Sequence, residues 1–573
     1  MTRPWWRGAV IYQIYPRSFA DSNHDGIGDL PGIIERLPYV AELGVDAIWI
    51  SPFFRSPMRD FGYDVADFCD VDPMFGSLAD FDRLLARAHE LGLKVIIDQV
   101  YSHTSDQHPW FVQSRSDRNC ARADWYVWAD PKPDGSPPNN WQSVFVGPAW
   151  TWDARRGQYY LHNFLTSQPD LNLLNSEVQD ALLDSARFWL DRGVDGFRID
   201  AVSHFVHDPL LRDNPPNLKP GPRTRPVDFQ ELRYTIDRPE TLAFLERLRE
   251  LMDRYGDRFA LGELGGPGVG GSEEGRYISD QRLHSAYSFY FLRAPTPTPL
   301  LIAQAFSDWQ SGHGEAWPTW VFSNHDAPRV ASRFGEARPL PERAKLWIAL
   351  LLSLRGSVCL YQGEELGLPQ AHVPFERLAD PEAIANWPLT LGRDGARTPM
   401  PWEAALPGAG FSDAEPWLPV DPRHRALAVD QQQADPSSVL SMTRDLLALR
   451  RRNKALWEGD ARIETSAEGV LWLCRQGNTA QVLCAFNLGA EPQRLAMPQL
   501  PDEIFIESIR QVVHIDRDWF PTVEGGSLYI RPFMFANEVF LGVKPSAEYL
   551  YLVILSPVGG YFKSGAPAVS IWV

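Results

Sequence analysis

The sequence has little cysteine, no excess of positive charge and no long apolar run, and each shortage removes a class of explanation. Cysteine occurs five times, at Cys69, Cys120, Cys359, Cys474 and Cys484, an odd number with no CxxC spacing, so neither a disulfide framework nor a zinc site is indicated. Such usage suits a reducing compartment. The 55 basic residues fall short of the 73 acidic ones, leaving a formal charge of −18, which argues against nucleic acid as a partner. The longest apolar stretch, Leu346 to Leu354, is far below the ~20 residues that cross a bilayer, and the opening Met1-Thr-Arg-Pro-Trp-Trp-Arg7 lacks the apolar core of a signal peptide. These features predict a soluble, cytoplasmic protein with no membrane partner. No solenoid-type repeat is present.

What the chain does have is aromatic surface and a recurring pattern. Its 21 Trp, 30 Phe and 18 Tyr supply flat rings that stack on sugar faces, although core packing uses the same residues. An amphipathic stretch, a Gly-containing turn and a short β-branched run recur: Ile33 to Gly44 then Ala47 to Ile50, Phe81 to Gly92 then Lys94 to Asp98, Val178 to Gly193 then Gly196 to Asp200. Adding Gly8 to Pro16, Phe259 to Glu263, Ser285 to Phe291, Trp320 to Asp326 and Ser357 to Glu364 gives about eight strands, the number that closes a β/α barrel. The fold class expected is therefore α/β, a (β/α)8 barrel with its site at the carboxyl ends of the strands.

Spacing divides the chain further. Residues 1–103 read as the first part of the barrel, and 104–171 as an inserted lid domain rich in Pro, Asn, Asp and Trp, because that gap exceeds one helix and two loops. The barrel resumes over 172–457, interrupted by a Pro-rich insertion at 366–430. Alternating strands then suggest a partial C-terminal β-sandwich over 458–501. From 502 to 573 the text changes character, and Glu503 to Val513 is helix-periodic.

Three barrel strands end in carboxylates: Gly196-Phe-Arg198-Ile-Asp200, Leu261-Gly262-Glu263 and Phe322-Ser-Asn324-His325-Asp326. A charge closing an apolar run is costly to bury, so its recurrence at strand ends points to one shared polar site. Together with Asp98-Gln-Val-Tyr-Ser-His103 and Gln168-Pro-Asp170-Leu-Asn172, these segments resemble the α-amylase family, glycoside hydrolase family 13, in its α-glucosidase and oligo-glucosidase branch. Ser102 departs from the Asn usual before this His.

The resemblance implies a retaining hydrolase in which Asp200 is the nucleophile, Glu263 the general acid/base and Asp326 a third carboxylate that holds sugar hydroxyls. Arg198 lies two residues before Asp200, on the same face of the strand, and would keep it ionised. His103 and His325 would bind the same glucose unit. Asp60 and Tyr63 match residues lining a terminal-glucose pocket, with Arg397 as the expected partner of Asp60, an arrangement that makes such an enzyme exo-acting. Ala201 stands where α-1,6-cleaving members carry Val, which favours α-1,4 linkages and a maltose-like oligosaccharide or glucoside substrate. Alternatives within the family are a transglucosylase or a trehalose-forming synthase. A non-catalytic, transporter-associated relative would lack these carboxylates.

Two further expectations follow. Asp21-Ser-Asn23-His-Asp25-Gly-Ile27-Gly-Asp29 places oxygen donors at alternate positions, so one structural Ca²⁺ or Mg²⁺ is expected on Asp21, Asn23, Asp25, Ile27 and Asp29, with a metal-free Asx-turn as the alternative. The tail, through Val512 to Pro521 and Ser527 to Val543, resembles a fragment of a branched-chain aminotransferase of the fold-IV pyridoxal-phosphate class. That resemblance implies a chimera. The tail's Lys544 and Lys563 lack the sequence context of the family's Schiff-base lysine, so no pyridoxal phosphate and no transamination are expected.

Overall fold

In the computed structural model, residues 4–489 are described except for 222, 266–273, 295–296, 313–316, 335–339, 391, 466–468 and 478–480, together with two later strands, Ser527–Ala536 and Tyr549–Val558. Eight parallel strands form the central sheet: β1 Val10–Ile14, β2 Ala47–Ile50, β3 Lys94–Gln99, β4 Gly196–Ile199, β5 Phe259–Leu264, β6 Ser285–Ser288, β7 Thr319–Val321 and β8 Ser357–Tyr361. Their order is β6-β5-β4-β3-β2-β1-β8-β7, and a parallel bridge between Ala286 and Pro318 brings the two edges together into the expected barrel. Parallel strands covered on both faces need apolar residues throughout, and β1, β2, β4, β5 and β8 are buried along their whole length. Ile11, Trp49, Ile96, Leu261, Tyr287 and Cys359 meet in one core cluster contributed by six different strands.

The helices obey local rules that the sequence carries. α1 (Leu30–Leu43) is N-capped by Asp29, α2 (Leu78–Glu90) opens with a Ser77/Asp80 capping box and α3 (Ser176–Arg192) is capped by Asn175. α1 and α3 both stop at a glycine in the left-handed region, Gly44 at φ 90° and Gly193 at φ 98°, where any other residue would be strained. Arg450, buried in helix Val439–Arg452, donates to the carbonyls of Gly8, Leu352, Gly356 and Leu456, so one side chain ties the entries of β1 and β8 to that helix.

Several expected strands end earlier than their apolar runs, and two of these bear on the site. β6 stops at Ser288 and a short helix, Tyr290–Arg293, follows. β7 stops at Val321 because Asn324 Oδ1 accepts from the amides of Asp326 and Ala327, and Ser323 Oγ accepts from Val330. The chain therefore turns, and His325 and Asp326 sit on a loop and not on a strand.

The insertion after β3 contains a three-stranded antiparallel sheet, Trp128–Ala129, Gln158–Leu161 and Trp150–Asp153, with Trp141, Trp150 and Leu161 in its own core. The 366–430 insertion is built of 3-10 turns and short helices, including the turn Asp394–Ala396 flanked by Arg393 and Arg397.

Beyond the barrel, Asp460–Thr465, Val470–Gln476 and Gln481–Asn487 are neighbours in one three-stranded sheet. The chain divides into two compact units, residues 1–464 with 473–484, and residues 465–472 with 485–573. In the second, Ser527–Ala536 and Tyr549–Val558 pair antiparallel with Ser527 opposite Val558. The helix expected over Glu503 to Val513 lies outside the described residues. Among the described residues no helix is long and apolar enough to cross a membrane.

Candidate active site

The site is organised by one buried arginine. Arg198, on β4, is fully enclosed, and its Nη1 reaches both Asp98 Oδ1 at 2.7 Å and Asp200 Oδ1 at 2.8 Å, while Nη2 reaches Glu263 Oε1 at 2.7 Å. The three carboxylates come from the ends of β3, β4 and β5, which are hydrogen-bonded neighbours, so the strand order alone brings them together. Tyr287 on β6 completes the group: its hydroxyl accepts from Arg198 Nε and Nη2 at 3.1 and 2.8 Å and donates to Glu263 Oε1 at 3.1 Å. The guanidinium also lies over the Trp49 ring, 4.9 Å from its centroid.

One guanidinium cannot neutralise three buried carboxylates, and Asp200 and Asp98 respond to their setting. Burial drives the Asp200 carboxyl well above the usual range against the pull of Arg198, and the charges of Glu263, Asp98 and Asp326 push the same way. Burial, again opposed by Arg198, pushes Asp98 up to about 6.

Asp326 has the opposite setting. Burial raises its carboxyl, but the surrounding positive groups outweigh burial and hold it well below the usual range. Its partners are Arg397 Nη2 at 2.7 Å and His325 Nε2 at 3.1 Å. His325 is itself kept neutral, pushed down to about 3 chiefly by burial, so the arginines exert most of that pull. Gln13 Nε2 lies 2.8 Å from His325 Nδ1, which makes Nδ1 the acceptor and leaves the proton on Nε2, facing Tyr63 Oη at 2.6 Å and Asp326. The ring is stacked between Tyr15 and Tyr63.

His103 is likewise buried and pushed down to about 3 by burial. Its Nε2 faces the Tyr63 carbonyl at 3.1 Å, and Ser102 Oγ lies 2.9 Å from Nδ1.

The pocket above these groups has a volume of about 400 Å³ and is lined by Asp60, Tyr63, His103, Asp200, Glu263 and Asp326, with Phe145, Phe164 and Phe289 as aromatic walls. The residues singled out from the sequence therefore converge, with one correction. Asp60 pairs with Arg393, not Arg397: Arg393 Nη2 lies 2.8 Å from Asp60 Oδ1, and Gln168 Nε2 donates to Asp60 Oδ2 at 3.0 Å. Arg397 turns instead to Asp326 and the His325 carbonyl. The reason is Asp380, whose Oδ1 accepts from Arg393 Nε and Nη2 at 3.2 and 2.8 Å and fixes that guanidinium beside Asp60. Asp98, Tyr287, Gln168, Asp380 and Arg393 are the site residues to which sequence reasoning gave no role. Only Asp98 and Gln168 carried a signal, inside motifs that had been noticed.

Ala201 has φ 44° and ψ 42°, a left-handed conformation rare outside glycine, and its amide donates to Glu263 Oε2 at 3.1 Å. The strained turn after Asp200 thereby fixes the second carboxylate as well.

The Asp21–Asp29 loop is held by its own side chains. Asp21 accepts from the amides of Asn23, His24 and Gly26, Asn23 from Asp25, Asp25 from Ile27, and Asp29 from Ser22 and Gly32. The donors are all oxygens, as a hard cation requires, and each carboxylate oxygen can accept more than one partner. Among the described residues no three acidic, His or Cys side chains converge, so a cation here would also need the Asn23 side chain and the Ile27 carbonyl.

The α-amylase catalytic-domain model matches residues 13–459. A probable α-glucosidase of Rhizobium meliloti is 53% identical over 87% of this chain and 91% of its own length. An oligo-1,6-glucosidase of Parageobacillus thermoglucosidasius is 37% identical over 80% of this chain and 86% of its own. Among solved structures, an α-glucosyl transfer enzyme, XgtA, superposes with a TM-score of 0.85 at 55% identity, covering 87% of this chain and 94% of its own. The trehalulose synthase MutB of Pseudomonas mesoacidophila does so with a TM-score of 0.79 at 33% identity over the same shares. With these matches spanning the barrel whose strand ends hold Asp200, Glu263 and Asp326, the chain belongs to the α-amylase family and is a glycoside hydrolase of family 13.

Proposed function

We propose that the enzyme is a retaining, exo-acting α-glucosidase that releases glucose from α-1,4-linked, maltose-like oligosaccharides and can pass glucose to alcohol acceptors. The observation that carries this reading is the Arg198 fork, which holds Asp200 and Glu263 on adjacent nitrogens of one guanidinium. That arrangement favours the short carboxyl separation of roughly 5–5.5 Å used in retention over the wider one that admits a water. Asp200 attacks the anomeric carbon, and Glu263 is placed to give a proton to the departing oxygen. Asp326, kept ionised by the arginines around it, accepts hydroxyls of the bound glucose. The Asp60–Arg393–Asp380 chain closes the far side of the glucose position, which supports exo attack.

Ala201 supports the α-1,4 preference: its left-handed backbone disfavours a β-branched residue, and its small side chain leaves room beside Glu263. The alternative is a transglucosylase or isomerase, which the likeness to an α-glucosyl transfer enzyme and a trehalulose synthase supports. The tail from 502 is assigned no catalytic part, since its resemblance to an aminotransferase fragment comes without the lysine such chemistry needs.

Incubation of the full chain with maltose, isomaltose and sucrose, with products identified, separates these readings. Faster turnover of maltose than of isomaltose, with glucose as the main product, is expected; isomerised disaccharides as the main product would favour the alternative. The same preparation given leucine and pyridoxal phosphate should form no keto acid, and keto acid formation would overturn the reading of the tail.

Asp200→Asn should lower turnover of an activated aryl α-glucoside by on the order of 10³-fold or more, because an amide is a poor nucleophile. Glu263→Gln should retain much more activity on that substrate, whose leaving group needs no proton, than on maltose. Equal losses for the two variants on both substrates would contradict the assigned roles.

For the Asp21–Asp29 loop we propose a single structural Ca²⁺ or Mg²⁺, supported by its all-oxygen donor set. Chelation should then lower the Tm by a few degrees, reversibly on adding the cation back. An unchanged Tm would mean that the Asx-turn bonds suffice.

A further inference from the structure

The two ends of the pocket differ in how their charges are matched. At the glucose end every arginine has a carboxylate: Arg393 meets Asp60 and Asp380, and Arg397 meets Asp326. At the mouth, Arg225 is also engaged, 3.5 Å from Asp228 and 3.4 Å from Glu382, and it donates to the Val144 carbonyl at 3.3 Å. Arg293 is the exception. It ends the short helix after β6, lines the pocket and is exposed to solvent there. Its guanidinium rests over the Phe289 ring, 4.7 Å from the centroid, and among the described residues no carboxylate lies within ion-pair distance of it.

The position of Arg293 places it on the side where a leaving group departs. Phe289 packs against Gly265, so closely that a Cβ on that glycine would meet the ring at 3.3 Å, and Gly265 is two residues beyond Glu263. Phe289 and Arg293 therefore enter the pocket lining beside the segment that carries the proton donor, from an element that contributes nothing to the Asp60–Arg393 closure. An aromatic face with an unmatched guanidinium above it recognises a flat or apolar group that ends in an anion, because a carboxylate can take two parallel N–H bonds from the fork.

We propose that Arg293 reads a negative charge on the aglycone, so that the preferred leaving groups and acceptors are alcohols or phenols carrying a carboxylate. This inference rests on the α-glucosidase reading above. In cleavage, the bond from the anomeric carbon to the aglycone oxygen breaks as Asp200 forms its ester, and Glu263 supplies the proton to that oxygen. In transfer, an acceptor hydroxyl gives its proton to Glu263, its oxygen bonds the anomeric carbon, and the Asp200 ester breaks to return the carboxylate. Arg293 binds the remote carboxylate in both directions and takes no part in the proton traffic.

The test uses two aryl α-glucosides matched in shape, 4-carboxylatophenyl and 4-carbamoylphenyl, at neutral pH with the full chain. The ratio of their kcat/KM values should favour the anionic substrate by about 10-fold, as a charge-assisted contact implies. Arg293→Gln should bring the ratio to about one, Arg293→Lys should keep part of it, and Arg293→Glu should invert it. Taking the ratio removes any loss common to both substrates, so a general weakening of the enzyme does not mimic the effect. A ratio at or below one in the unaltered enzyme, or one that Arg293→Gln leaves unchanged, overturns the proposal. Absence of cleavage of either glucoside would count against the α-glucosidase reading itself.

Discussion

Arg198 must answer three carboxylates from inside the barrel, and much of the site's behaviour follows from its being able to answer them only in part. Buried charges are tolerated when paired and hydrogen-bonded, and the Arg198 fork, with Tyr287 and Trp49 around it, meets that requirement for the guanidinium. It does not meet it for Asp98, Asp200 and Glu263 together. Burial, with the surplus negative charge, raises Asp200 and Asp98 above the usual carboxylate range, and a retaining glycosidase needs one carboxyl protonated beside one that is ionised. At the other end of the sugar position the balance is reversed. Arg393 and Arg397 stand over Asp326, which stays ionised. The pocket thus joins two carboxyls raised above the usual range, Asp200 and Asp98, to one held below it, Asp326.

Much of this was legible in the sequence because it is local. A strand-end Asp two residues after an Arg shares a face with it by the period of the strand, and that is the relation of Arg198 to Asp200. The barrel itself follows from repeated helix and strand periods, and the eight strands occur where apolar runs lie between Gly-containing turns. Departures arose where a polar side chain competed with the strand for the backbone. Asn324 and Ser323 end β7 early, and no apolar count registers that competition.

The pairing across the pocket was not legible, for a different reason. Arg393 and Arg397 bracket a single 3-10 turn, and either could have faced Asp60. The choice is made by Asp380, which lies 13 residues before Arg393 in the chain and has no motif to mark it. Tyr287 shows the same limitation. Its role depends on β6 lying next to β5, which is a property of the strand order and not of the residues around it. Arg293 stands out only once the partners of every other pocket arginine are known.

The central claim is that the Arg198 fork holds Asp200 and Glu263 close enough for a double displacement through a glucosyl ester. Its most direct test is the anomeric form of the first product. When hydrolysis of an α-glucoside is followed by proton NMR from the first seconds, before mutarotation mixes the anomers, the glucose signal should appear first as the α-anomer and the β-anomer should grow in later. If β-glucose appears first, the displacement is single, a water must fit between the carboxylates, and the geometry assigned to the Arg198 fork is wrong.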